Sequence, residues 1–343
     1  MKQFMKYLYI AILSISGCVY YAQQQSIYTS ILTNPVYYNP AWISVKKEFN
    51  FNAIYRYQWA GFTGAPKNFI GSFYGTFKKK YKNGVGFLLT NDQAGLLSKN
   101  GIYGMYSYQL PITKTWNAYL GLQLGIIQYS LRAYDAIPYD KDDIFLTSNV
   151  LNANTYDAGT GLYITNQKFF FSMSFQQLTR SRIYWVNKKG QLTPHNYVFF
   201  GYNFPLDKKK KDYELQPSVF LRFNSPAPFQ AEYNLKLTYK KFAWLAASYR
   251  HAKTISNFKD PWKSNSVCFL TGVSVRRITI AYSFDYGLSN IRNYNTGTHE
   301  IYLSYAIPRQ VNLINKIQSA DEEEFNTIDN SIKTNLKNSK KKQ

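Results

Sequence analysis

The sequence predicts an all-β fold: an antiparallel transmembrane β-barrel of about 14 strands, with short periplasmic turns and longer extracellular loops. Three observations predict it. Aromatic residues make up 18% of the 343-residue chain, yet its mean hydropathy is only −0.36. Residues 48–307 break into short runs in which apolar and polar residues alternate, the period of a strand. The connections between those runs alternate between long and short. A barrel wall meets lipid on one face and a polar lumen on the other, so hydropathy averages out along each strand.

The chain opens with Lys2 and Lys6 ahead of a short apolar run, Tyr7 to Ile15. The run is too short to span a bilayer as a helix and reads as a secretory signal, residues 1–22, cleaved after Ala22. Ile15-Ser16-Gly17-Cys18 offers the alternative of lipidation at Cys18, which would tether the amino terminus to a leaflet. Cys18 therefore leaves with the signal or carries lipid. Cys268 is the one other cysteine, so no intramolecular disulfide is expected.

Residues 23–47 form an irregular periplasmic segment. Asn34-Pro35 and Asn39-Pro40 break it, because a residue before proline is pushed to extended or turn geometry. Its Tyr37, Tyr38 and Trp42 are expected to pack near the lower rim. The alternative is a segment that folds into the lumen or docks on a periplasmic partner.

The barrel, residues 48–307, begins with the stretch Asn50 to Pro66. Phe51, Ala53, Tyr55, Tyr57 and Trp59 fall on one face and Asn50, Asn52, Arg56 and Gln58 on the other. A turn through Gly61, Gly64 and Pro66 leads to the return strand from Asn68. Later strands follow the same pattern. Leu120, Leu122, Leu124 and Ile126 oppose Tyr119, Gly121, Gln123 and Gly125, and Phe169, Phe171, Met173 and Phe175 oppose Ser172, Ser174 and Gln176. The last strand is His299 to Ile307.

Ala94–Asn100, Arg132–Thr155, Thr179–Pro194, His251–Asn265 and Gly287–Thr298 read as outer loops. The alternate connections read as periplasmic turns: the lysine-rich first and fourth, Lys78–Gly84 and Lys208–Lys211, are longer, and Pro111–Thr115, Asn166-Gln167, Lys240-Lys241 and Arg276-Arg277 are very short. Closure leaves no unpaired strand edge in lipid, where each bare N–H or C=O would cost several kcal/mol, roughly. Arg56, Gln58, Arg222, Lys236, Asp285 and Glu300 are expected to make a polar lumen, either wet or plugged. Residues 308–343 are read as a largely disordered periplasmic tail.

The pattern carries almost no chemistry. His195, His251 and His299 lack metal-ligand spacing, and no nucleophile elbow, zinc-helix motif or phosphate loop occurs. Gly84-Val85-Gly86 and Gly159-Thr160-Gly161 lie in strands. Asp140, Asp142 and Asp143 lack the glycine and glutamate of a calcium loop. No enzyme, metal or cofactor is expected. The formal charge of +22 sits in turns and the tail rather than in one aromatic-lined groove, so nucleic acid is not the expected partner. The lysine turns face lipid headgroups or an acidic periplasmic component.

The segments NPVYYNPAW, YRYQWAGFTGAPKNF and HEIYLSY together resemble the PorP/SprF family of type IX secretion outer-membrane proteins, over roughly residues 23–307. Asn39, Pro40, Arg56, Gln58, Trp59, Gly61, Gly64, Ala65, Pro66 and Lys67 stand where that family's motif has them. Trp42-Ile43-Ser44 departs from the usual aromatic, small residue and glycine. The tail lies outside the resemblance. The resemblance implies an outer-membrane protein of gliding and related bacteria that helps export or attach a cognate surface protein, often one with a type B C-terminal sorting domain. Periplasmic secretion components and outer-membrane lipid are the other partners it implies. Trp185 and Trp262, in long outer loops with other aromatics, are candidate partner contacts. The competing reading is a passive porin-like or fatty-acid-type transporter.

Overall fold

The computed structural model describes residues 28–77, 82–132, 150–166, 168–184, 189–207, 212–224, 229–253 and 262–308. The first described stretch makes three short 3₁₀ turns, Ser30–Leu32, Pro35–Tyr37 and Pro40–Ser44. A meander follows: β1 (Phe49–Tyr57), β2 (Lys67–Gly75), β3 (Asn83–Ala94), β4 (Leu97–Pro111), β5 (Asn117–Leu131), β6 (Leu151–Thr165) and β7 (Phe169–Gln176). β8 (Arg182–Tyr184) and β9 (Lys189–Gln191) form a separate small hairpin. β10 (His195–Tyr202) is prolonged past Asn203 by β11 (Phe204–Pro205). β12 (Tyr213–Phe223), β13 (Gln230–Tyr239), β14 (Ala243–Lys253), β15 (Trp262–Val275), β16 (Ile278–Gly287) and β17 (Thr298–Ile307) complete the wall.

β1 lies beside β17 and β10 pairs with β12, so the 15-stranded sheet closes on itself. β10 and β11 lie end to end against β12 and count as one strand, which makes a closed antiparallel barrel of fourteen. The lipid side is apolar because alternate residues face it: Leu122 is 58% exposed, Leu124 69%, Phe269 58% and Ile280 56%. Their neighbours in sequence point inward and are buried, among them Asn50, Asn52, Arg56, Gln123, Ser172, Ser174 and Gln176.

The two mouths differ. One carries connections 58–66, 95–96, 132–150, 177–194, 224–229, 254–261 and 288–297. The other carries 76–82, 112–116, 166–168, 206–212, 240–242 and 276–277. Long connections outside and short turns in the periplasm is the barrel rule. Three boundaries differ from expectation. β1 ends at Tyr57, so Trp59 sits in the turn, with φ 53°. The expected loop Ala94–Asn100 is the two-residue turn Gly95-Leu96, because its polar residues pair as strand and Asn91 donates to Asn100 at 2.6 Å. Trp262 begins β15 and pairs with Lys253, so its backbone belongs to the wall rather than to a loop.

Candidate functional site

The lumen holds the protein's own amino-terminal segment. The aromatics expected at the lower rim lie inside the barrel instead. Tyr28, Val36, Tyr37, Tyr38, Ala41 and Ile43 pack on wall residues that include Ile54, Ile70, Leu88, Tyr197 and Phe220. The Tyr38 ring sits edge-on to Phe220 and Tyr197, with centroids 4.9 and 5.2 Å away. Burying these apolar groups drives the segment inward, and its turn-rich backbone can enter only where the wall meets its polar groups. The wall does so. Gln176 donates to the carbonyls of Tyr37 and Tyr38 at 2.8 and 2.9 Å, and Ser174 donates to Tyr38 O at 2.7 Å. Ser107 donates to Ala41 O at 3.0 Å, while Ser44 donates to Ser107 O at 3.0 Å.

Asn39 is the anchor. Its side-chain oxygen accepts from Ala41 N–H at 2.8 Å and caps the turn that Pro40 opens. Its side-chain amide donates to Leu162 O at 2.9 Å, Ser172 Oγ at 2.8 Å and Met173 O at 3.2 Å, which ties the cap to β6 and β7.

A row of small residues makes room for this. Gly84, Ser107, Gly121, Gly161 and Ser174 are partners in register across β3 to β7. A Cβ on Gly161 would collide with the Asn39 side-chain oxygen, and one on Gly121 with the Ala41 nitrogen. One on Gly84 would come within 2.7 Å of Ser44 Oγ. The segment thus lies directly on strand backbone, in a groove made by missing side chains. Strand glycines mark such close approaches.

The opposite wall carries a chain of buried charges. Glu300 meets Arg56 at 3.1 Å, Arg56 meets Asp285 at 3.6 Å, and Asp285 meets Arg250 at 3.0 Å. Arg250 and Arg222 both reach Glu232 at 2.8 Å. Three arginines alternate with three carboxylates, so the formal charges cancel. The segment joins this chain as well: Thr29 N–H donates to Glu300 at 3.2 Å and Arg56 donates to Thr29 Oγ1 at 3.2 Å. Arg56, Arg222, Asp285 and Glu300 lie inward as the alternation indicates, and Lys236, half-buried, stands 4.5 Å over the Trp244 ring. Sequence reasoning missed Arg250 and Glu232. Their signal was opposite charge on the inward face of adjacent strands.

The motif turn closes the barrel seam at the long-loop mouth. Gln58 N–H donates to Pro66 O at 2.9 Å, and Gly61 and Gly64 take φ of 92° and 72°. Ala60 N–H donates to Gly297 O, and Thr296 N–H donates to Ala60 O, both at 2.8 Å. Trp59 N–H donates to Thr298 Oγ1 at 3.1 Å, and Gly95 N–H donates to Gly64 O at 3.2 Å. Asn39 and Pro40 therefore belong to the lumen, whereas Gln58, Trp59, Gly61, Gly64 and Pro66 belong to this turn. Arg56 stands just below it.

The remaining residues are scattered. His195 is buried between Thr193 and Asn224, His299 accepts or donates with Tyr282 OH at 2.7 Å, and His251 lies against Tyr233 and Tyr249. Among the described residues no three His, Cys, Asp or Glu side chains gather as metal ligands. Trp185, Asp140, Asp142, Asp143, Lys78–Lys80, Lys208–Lys211 and the tail beyond 308 lie outside the described residues. Lys240, Lys241 and Arg276 turn their hairpins with φ of 48°, 57° and 55°. The Tyr239 phenol and the Asp212 carboxylate beside Lys240 hold its ammonium above the usual lysine range.

A model of the family described as type IX secretion system membrane protein PorP/SprF matches residues 20–305. No curated protein matches the chain. Among solved structures, the CymD monoaromatic hydrocarbon channel is 10% identical, with 80% of this chain and 92% of that one covered and a TM-score of 0.51. A Pseudomonas aeruginosa FadL homologue is 8% identical, with 81% and 94% covered and a TM-score of 0.45. The likeness to CymD is one of fold: an outer-membrane barrel.

Proposed function

We propose that this chain, which belongs to the PorP/SprF family of type IX secretion system membrane proteins, holds a cognate secreted protein at the cell surface. The partner is a secreted protein with a type B C-terminal sorting domain, gripped at the long-loop mouth of the barrel. Periplasmic components of the secretion system meet the opposite mouth, and the barrel performs no chemistry of its own. The filled lumen carries this reading. A diffusion pore needs a continuous wet path, but here Tyr28 to Val45 lie across the interior and bond to walls on several sides. A cavity lined by Tyr37, Asp92, Lys99, Tyr103, Gln123 and Gln176 measures about 10 Å³, room for about one water.

The test is the surface and medium proteome of a strain lacking this protein. Loss of one large surface protein from cells, or its appearance in the medium while general secretion continues, supports the proposal. Failure of many secreted proteins together makes the chain a core part of the machine instead. An unchanged proteome overturns the attachment role and favours a passive transporter.

A further inference from the structure

The outer face of β3 to β6 changes chemistry at one level. Register puts Leu89, Ile102, Ile126 and Tyr156 in one outward row, all exposed. The next outward row toward the long-loop mouth is Asn91, Asn100, Gln128 and Asn154. The row after that is Gln93, Ser98, Ser130 and Asn152. Elsewhere on the wall the outward row near that mouth is Tyr233, Tyr249, Val267 and Tyr286, the aromatic girdle usual for a barrel. The amide rows are a different surface, about 14 Å across and 7 Å tall at strand spacing.

Their height selects what meets them. They stand about 7 and 14 Å along the strands from the last apolar row, or roughly 5 and 10 Å above it at a strand tilt of about 40°. Tyr156 in that apolar row marks the edge of the hydrocarbon, where tyrosine collects. A phospholipid headgroup layer is only about 5–7 Å deep. The first row lies within such a layer and the second above it, so a taller headgroup is needed to cover both.

Their chemistry narrows the choice. No charge lies in either row, because Lys99 and Asp157 point inward and are buried. Cations stand only at the margins. Lys67, beside Gln93, has its ammonium 5.6 Å from the Tyr57 ring centroid, and Arg132 donates to Gly95 O at 3.3 Å. Asn91 donates to Asn100 Oδ1 and Ser130 to Asn152 Oδ1, both at 2.6 Å, which holds these side chains along the sheet. Amides and hydroxyls offer donors and acceptors together, as sugar hydroxyls do, whereas phosphate calls for cations. We propose that these two rows on β3 to β6 bind the saccharide headgroup of an outer-leaflet glycolipid. This site is independent of the secreted partner proposed above.

The experiment uses the full-length protein in dimethyldodecylamine oxide, a detergent without sugar. Native mass spectrometry reads the binding of rough lipopolysaccharide and of cardiolipin, which carries phosphate but no sugar. Lipopolysaccharide is expected to bind at least tenfold more tightly. Gln128→Ala combined with Asn154→Ala is expected to weaken it roughly tenfold, the loss of two hydrogen bonds, and to leave cardiolipin unchanged. Asn154→Ala alone is expected to weaken it about threefold, and wild-type selectivity decides the matter even where the double variant fails to fold. Equal binding of the two lipids by the wild type overturns the proposal. So does loss of binding in Lys67→Gln with none in the amide variants, which would make phosphate the recognised group. A protein dimer that the double variant abolishes also overturns it, since the rows would then face a second copy of the chain.

Discussion

Asn39→Ala is expected to undock the amino-terminal segment without breaking the wall. The side chain caps the Pro40–Ser44 turn and makes two strong hydrogen bonds to the wall, to Leu162 O and Ser172 Oγ. Loss of a cap costs about 1 kcal/mol and each buried hydrogen bond roughly 0.5–1.5 kcal/mol net, so the docked state loses about 2–4 kcal/mol. At 1.4 kcal/mol per tenfold, the middle of that range raises the undocked population about a hundredfold. Amide hydrogen exchange of the purified barrel reads this directly, since local opening exposes the segment without global unfolding. Exchange of residues 37–44 is expected to quicken about a hundredfold while β3 to β7 keep their protection. Gly161→Ala strikes the same contact from the wall side, because its Cβ would take the place of the Asn39 oxygen. Unchanged exchange at 37–44 in both variants would show that Asn39 does not hold the segment, and equal loss of protection throughout the strands would show that it holds the wall instead.

Three further outcomes follow from other parts of the barrel. Arg250→Ala leaves Glu232 and Asp285 short of a buried cation and is expected to destabilise the barrel by roughly 3–5 kcal/mol; an unaltered unfolding temperature on heated gels would count against the charge chain. Lys240→Asn combined with Lys241→Gly puts residues that accept left-handed φ into a turn that now strains two lysines, so stability is expected to rise by about 1 kcal/mol. A fall in stability would mean that the lysine side chains themselves hold the hairpin. Trp59→Ala removes a half-exposed ring from the seam turn and is expected to lower the yield of folded barrel in the membrane; normal yield would show that the backbone bonds to Gly297 and Thr298 suffice.

The wall was legible because alternation is a local property. The faces of β1, β5 and β7 follow from the period of two, and Leu122, Leu124, Ser172 and Gln176 stand where that period puts them. The contents of the lumen were not legible, because they depend on register between strands far apart in sequence. Gly84, Gly121 and Gly161 read only as residues of three separate strands; pairing puts them in one row under Ser44, Ala41 and Asn39. The two Asn-Pro steps announced an irregular backbone, but not that Asn39 would find its partners more than 120 residues away on β6 and β7. The charge chain was half visible, since Arg56, Arg222, Asp285 and Glu300 could be turned inward one by one, whereas the role of Arg250 in joining Glu232 to Asp285 needs three dimensions. Polar composition misled at residues 94–100, where Asn, Ser and Lys read as loop and instead extend a hairpin.

The barrel is filled by its own amino-terminal segment, and the proposed role is that of a surface holder rather than a pore. Planar-bilayer recording of the purified full-length protein tests it most directly. No steady conductance is expected from the intact chain, and stepwise channels are expected once residues 28–45 are removed. Stable open channels from the intact chain, of the same size as those without the segment, would contradict it.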